Sequence, residues 1–126
     1  MNIPDNLRYT TEHEWIKVEG QYGWVGITDF AQSELGDIVY IDVFDKSKKV
    51  ERGKTFATVE AVKAVSDIFA PVTGEIVEVN KELKEHPEII NKDPYGAGWI
   101  VKLLITDPGE LDLLMDAEAY RKHIGK

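Results

Sequence analysis

The chain is 126 residues long, enough for one domain over 1–126, and its 43% apolar and 30% charged content is that of a globular fold. A formal net charge of −8 excludes a phosphate backbone or an anionic lipid surface as its main partner, so neither nucleic acid nor membrane is expected. The absence of cysteine excludes disulfides, thiolate nucleophiles and iron–sulfur ligation, and three scattered histidines, at 13, 86 and 123, form no metal-ligand pattern.

The first fifteen residues hold no apolar core of signal-peptide length, and no apolar run is long enough for a bilayer. A cytoplasmic protein is expected. Glu14 to Val18 alternates polar and apolar, Glu19-Gly20-Gln21 signals a turn, and Tyr22 to Ile27 reads as the return strand. Thr28-Asp29 predicts a helix N-cap, with Phe30, Ala31 and Leu35 on one face and Gly36 closing the helix. Asp37 to Phe44 (DIVYIDVF) is the strongest strand pattern. Asp45 to Arg52 reads as a charged loop ending at Gly53.

Two β-prone segments follow, Lys54 to Val62 and Ala64 to Ala70. They meet at Lys63 with no Gly, Asn or Pro at the junction. Turn residues stand at both roots, Gly53 on one side and Pro71 and Gly74 on the other. This predicts a hairpin with Lys63 at its tip. Glu75 to Asn80 is a further strand, and GEIVEVN repeats GDIVYIDVF weakly, as in a sandwich with approximate twofold symmetry. Pro87 to Ile90 predicts a short helix, Asp93 to Gly98 a loop, and Trp99 to Ile105 a strand covered on both sides. From Pro108 the tail reads as helical, with Leu111, Leu114 and Met115 at helical spacing and a second piece over Ala117 to Ile124. The acidic residues from Asp107 to Glu118 read as a solvated helix face. Ile38, Val39, Ile41, Val59, Ile76, Val77, Ile100 and Leu103 are the expected core contributors.

No catalytic set is visible. The serines lack a GxSxG setting. His13 and Glu14 are strand neighbours that point to opposite faces, so adjacency does not make them a dyad. The Gly20, Gly23 and Gly26 spacing belongs to a hairpin rather than a phosphate loop. Lys63 stands out as a cation inside the apolar run Ala61-Val62-Lys63-Ala64-Val65. One reading is an exposed gatekeeper against edge pairing. The other is an acylation site, because a lysine amine forms a stable amide with a carboxylic cofactor and a hairpin tip holds it out on a stalk. Such a tether raises the local concentration of whatever it carries.

The segments VGITDFAQSELGDIVYIDV, ATVEAVKAVSDIFAPVTGEIVEVN and NKDPYGAGWIVKL, with YTTEHEWI before them and LLMDAEAY after, resemble the glycine cleavage system H protein family from about Leu7 to Tyr120. Two departures stand out. Ala61 replaces the family's usual Ser, and Phe44-Asp45-Lys46-Ser47-Lys48 stands where the family usually runs LPxVG, a loop that bears on partner contact or on recognition by the attaching enzyme. The resemblance implies a mainly β fold, a lipoyl-type barrel-sandwich hybrid of two antiparallel sheets with a short helix in the N-terminal half and helices at the C-terminus. It implies a non-catalytic carrier in which Lys63 bears lipoic acid as an amide. The implied partners are a pyridoxal-phosphate glycine decarboxylase, a tetrahydrofolate-dependent aminomethyltransferase, a flavin dihydrolipoyl dehydrogenase and a lipoate-attaching enzyme.

An arm loaded with an aminomethyl group carries an amine that is cationic near neutral pH. Two unit charges about 4 Å apart attract by roughly 1 kcal/mol in water and about 4 kcal/mol at an effective dielectric near 20. A semi-buried carboxylate therefore holds such an arm reversibly. Glu14 and Asp67 are the candidate arm contacts, positions the family resemblance also points to. Biotin attachment is disfavoured by Val62 and Ala64 where Met is usual. The lipoyl domains of 2-oxo-acid dehydrogenase acyltransferases are shorter and lack the EHEW and DPYGxGW segments. A relay passing lipoyl or octanoyl groups to other proteins remains open, as does an unmodified binding module.

Overall fold

The computed structural model describes residues 1–125. Nine strands run β1 (Arg8–Tyr9), β2 (Glu14–Glu19), β3 (Tyr22–Ile27), β4 (Ile38–Val43), β5 (Lys49–Val50), β6 (Thr55–Ala61), β7 (Val65–Phe69), β8 (Gly74–Val79) and β9 (Val101–Ile105). The helices are α1 (Asp29–Leu35), α2 (Glu82–Glu85), α3 (Ile89–Lys92) and α4 (Ala117–His123), with a 3₁₀ turn over Pro108–Leu113. The strands form a six-stranded sheet in the order β1-β2-β3-β9-β8-β5 and a three-stranded sheet in the order β4-β6-β7. Every pairing is antiparallel. The mainly β fold of two antiparallel sheets is therefore as expected, and the two similar segments stand in different sheets, GDIVYIDVF as β4 and GEIVEVN as β8.

The sheets share one apolar core. Ile16, Val25, Ile76 and Leu103 face Ile38, Ile41, Phe56, Val59 and Ile68. Each such side chain contributes about 1.5–3 kcal/mol when fully buried. A second cluster, Ile3, Leu7, Tyr9, Trp15, Ala117 and Tyr120, fastens the N-terminal segment and α4 to the back of β2. Tyr9 and Tyr120 stack there with ring centroids 4.6 Å apart.

Helix α1 begins and ends as its sequence predicts. The Thr28 hydroxyl accepts from Ala31 N at 3.2 Å, and Gly36, at φ +79°, donates its N–H to the Gln32 carbonyl. Several elements differ from the pattern-based reading. Val39 is 52% exposed rather than core, because β4 bulges between Ile38 and Tyr40. The extra residue lets Ile38 and Ile41, three apart, both point inward. Val77 is only half-buried. The loop after β4 contains β5, which pairs with β8. The helix expected over Pro87 to Ile90 lies at Ile89–Lys92, preceded by α2. The strand expected from Trp99 starts at Val101 and is buried on one face, half-buried on the other. In the tail, Leu111 falls in the 3₁₀ turn and Met115 bridges to Tyr9 instead of continuing a helix. Glu110 is not a solvated acid: its carboxylate accepts from Thr73 N at 2.6 Å and from the Thr73 hydroxyl at 3.1 Å.

Candidate functional site

Strands β6 and β7 form the predicted hairpin, with Glu60 opposite Val65 and Ala61 N donating to the Ala64 carbonyl at 2.7 Å. Val62 and Lys63 occupy the tip. Neither has positive φ, the only described non-glycine residues that do being His13 and Ser47, so the turn needs no Gly or Asn. The tip is tied to the corner after α1, where Val62 N donates to the Asp37 carbonyl at 3.0 Å. At the root, Gly53 (φ +82°) donates to the Ala70 carbonyl and Ala70 N donates to the Lys54 carbonyl, both at 2.8 Å. Bonds at both ends make the stalk stiff. Val62 and Val65, 75% and 68% exposed, flank the exposed Lys63. Lys63 forms no salt bridge among the described residues.

Glu14, the first residue of β2, is only 2% exposed. Its Oε1 accepts from the Thr10 hydroxyl at 2.5 Å and its Oε2 from Phe69 N at 3.3 Å, while its own N–H donates to Thr10 Oγ1 at 3.0 Å. Burial pushes its pKa up to about 7 against the opposing pull of the Thr10 and Phe69 hydrogen bonds. The carboxyl lies in the wall of a cleft of about 360 Å³ that is also lined by Thr10, Arg52, Phe69 and Met115.

The structure thus brings Glu14 to the free edge of β7, two residues beyond Asp67. Asp67 itself is exposed on the outer face of β7, opposite Thr58. Its carboxylate is not paired with Lys63 or Glu14 among the described residues. His13 is no partner of Glu14 either. Its backbone is left-handed at φ 74°, and its Nδ1 lies 2.9 Å from the Tyr120 hydroxyl, which in turn lies 2.7 Å from Thr28 Oγ1. Burial, followed by the charge of His123, lowers the His13 pKa. Among the described residues no cluster of His, Cys, Asp or Glu is placed to hold a metal, and no helix is long and apolar enough to cross a membrane.

Thr10 and Tyr120 escape a reading by pattern. The only sequence signal for Thr10 is its spacing of four from Glu14, and Tyr120 acts across more than a hundred residues of chain.

The site thus consists of a lysine at the tip of the β6–β7 hairpin and a buried carboxyl in a cleft at the free edge of β7. The model of the glycine cleavage H-protein family matches residues 7–126. The chain belongs to the glycine cleavage H-protein family. A glycine cleavage system H protein of Chlorobium limicola is 56% identical over 128 residues, covering 100% of both chains. One from Bacteroides thetaiotaomicron is 54% identical over 121 residues, 96% of each. The crystal structure of the H protein from Mycobacterium marinum superposes with a TM-score of 0.91 at 38% identity, over 98% of this chain and 100% of that one. Family membership supports a lipoyl carrier's role in glycine cleavage, and the fold is the barrel-sandwich hybrid expected of the family.

Proposed function

We propose that the whole chain acts in the cytoplasm as the lipoyl carrier of glycine cleavage, without catalysing a step itself. In this reading Lys63 bears lipoic acid through an amide, which removes the ammonium charge. The bound group supplies a disulfide–dithiol pair that accepts the aminomethyl fragment of glycine. The carrier then visits a pyridoxal-phosphate glycine decarboxylase, a tetrahydrofolate-dependent aminomethyltransferase and a flavin dihydrolipoyl dehydrogenase, after an attaching enzyme has loaded it.

The observation that carries the reading is the exposed Lys63, in no salt bridge among the described residues, at the tip of a hairpin pinned at both ends. Such a tip presents an amine to an attaching enzyme, and the group it acquires is free to swing. Glu14 and Asp67 would receive the arm's cationic load. Asp67 stands four residues from Lys63, at most about 13 Å along β7. Glu14 waits further along the same edge in the cleft. With its pKa near 7, the Glu14 carboxyl is about half ionised at neutral pH, and an arriving ammonium draws it to the charged form.

Intact-mass analysis of protein from cells supplied with lipoate tests the attachment. One lipoyl amide is expected on the wild type and none on Lys63→Arg. Lipoylated protein is expected to support glycine–CO2 exchange by the decarboxylase. An unmodified wild-type chain, or full exchange by Lys63→Arg, would overturn the proposal.

A further inference from the structure

The corner against which the lysine tip leans is not held by the sheet. The β4–β6 ladder begins at Ile38 opposite Ala61 and is at once interrupted by the bulge. Besides the Gly36–Gln32 cap bond and the Val62–Asp37 bond to the tip, the corner is held by one side chain from α3, more than fifty residues away in the chain. Asn91 Oδ1 accepts from Ile38 N at 3.0 Å, and its Nδ2 donates to the Gly36 carbonyl at 2.9 Å and to Gln32 Oε1 at 3.0 Å. The amide orientation follows from its partners: a backbone N–H only donates and a carbonyl only accepts. The Gln32 amide is oriented in the same way, because its Nε2 donates to Asp29 Oδ1 at 2.7 Å and leaves Oε1 free for Asn91. The next residue back from Asn91, Ile90, is fully buried and anchors α3 in the main core.

The corner so held touches the lysine twice. The Asp37 carbonyl accepts from Val62 N. Gly36 leaves room for the lysine itself, since a Cβ on Gly36 would lie 3.2 Å from Lys63 Cε and 3.7 Å from its Nζ. None of the Asn91 hydrogen bonds among the described residues goes to Lys63 or Val62.

We infer that Asn91 is a positioning residue for Lys63, fixing the Gly36–Ile38 corner so that the hairpin tip is presented to the attaching enzyme in one arrangement. The inference rests on the proposed acylation of Lys63. A tip that samples several arrangements is competent for only a fraction of the time, and apparent affinity falls by that fraction.

The test compares Asn91→Ala with Asn80→Ala in the full-length unmodified protein, using a lipoate-attaching enzyme. Asn80 is the matched control. Its Nδ2 donates to the Ala97 and Trp99 carbonyls and its Oδ1 accepts from Glu82 N, but these bonds lie outside the corner. Asn91→Ala is expected to raise KM for the carrier about tenfold with kcat within about twofold, and Asn80→Ala to leave KM at the wild-type value. Amide exchange at Val62 is expected to quicken in Asn91→Ala alone. If Asn91→Ala does not fold, Asn91→Asp carries the test, since it keeps the acceptor for Ile38 N and loses the donor to Gly36; the same KM rise and faster Val62 exchange are expected. Equal effects of the Asn80 and Asn91 variants, or an unchanged Val62 exchange rate, overturn the inference. Failure of the wild type to be acylated overturns the lipoyl reading instead, and Val62 exchange still decides whether Asn91 holds the tip.

Discussion

Glu14 is bonded to the backbone of Phe69: the carboxylate of the first residue in β2 accepts from the N–H of the last residue in β7, joining the larger sheet to the free edge of the smaller one. The contact places an ionisable group where water is scarce, and this makes stability depend on pH. Below about pH 4.5 the folded and unfolded chains both keep the proton. From there to about pH 7 the unfolded chain releases it first, so the unfolded state binds fewer protons and folding stability falls as pH rises. Above about pH 7 the loss is complete and amounts to about 3 kcal/mol. Glu14→Gln lacks this dependence because a carboxamide does not titrate, and its amide oxygen can still accept from Phe69 N while its NH2 donates to Thr10 Oγ1. Denaturant titrations of both proteins at pH 5 and pH 8 check it: Glu14→Gln is expected to gain on the wild type by about 2–3 kcal/mol between the two.

His13 titrates in the opposite sense. Its folded pKa lies below the ordinary imidazole value, so the unfolded chain takes up the proton first as pH falls, and stability is lost on acidification. The groups facing it are His123 and the Tyr120 hydroxyl on α4, Phe30 and Glu34 on α1, and Glu12 on its own turn. His123 reinforces the loss, and the two carboxylates oppose it. His13→Asn keeps a residue that tolerates φ 74° and removes the titration. The expected result is that Tm of the variant, measured relative to the wild type, rises between pH 7 and pH 5. Because Glu14 titrates in both proteins, its opposite trend cancels in the comparison.

The hairpin was legible because its signals are local: β-branched runs on either side of Lys63, with Gly53 and Gly74 at the roots. The N-cap at Thr28 and the strand Tyr22 to Ile27 were legible for the same reason. Strands β1 and β5 are two residues each, shorter than any period that a pattern can register. Val39 was misplaced because a bulge shifts the alternation without leaving a mark in residue type. At the site, Lys63 is conspicuous as a cation in an apolar run and Glu14 is reached through the EHEW segment and the family resemblance, whereas Asn91 sits in an ordinary short helix. Its role consists entirely of bonds to a segment more than fifty residues earlier.

Ser47 lies in the loop between β4 and β5, and its backbone is left-handed at φ 74°. The conformation is enforced by pairing on both sides: Ser47 N donates to the Ile76 carbonyl at 2.6 Å, and Ile76 N donates to the Lys48 carbonyl at 2.9 Å. A side chain in this region costs about 1–2 kcal/mol, and glycine escapes that cost while losing about 0.4–1 kcal/mol to unfolded-state entropy. Ser47→Gly is expected to stabilise the fold by about 0.5–1 kcal/mol, read as a higher denaturation midpoint with an unchanged slope.

Gly26 is required by Trp15 rather than by backbone strain. The two residues are paired across β2 and β3, and a Cβ on Gly26 would stand 2.7 Å from Trp15 Cζ2 and 2.8 Å from its Nε1. The indole is 1% exposed, and its N–H is shared between the Ile27 and Pro94 carbonyls, both at 3.0 Å, so the ring joins the β2–β3 hairpin to the loop before β9. Gly26→Ala pushes the ring off both acceptors and is expected to destabilise the protein by about 1–3 kcal/mol, with a change in tryptophan emission. If ring displacement is the cause, the cost depends on the size of the ring. In a Trp15→Phe background the same Gly26→Ala change is expected to cost at least about 1 kcal/mol less, whereas an equal cost in both backgrounds places the damage in the β3 backbone instead.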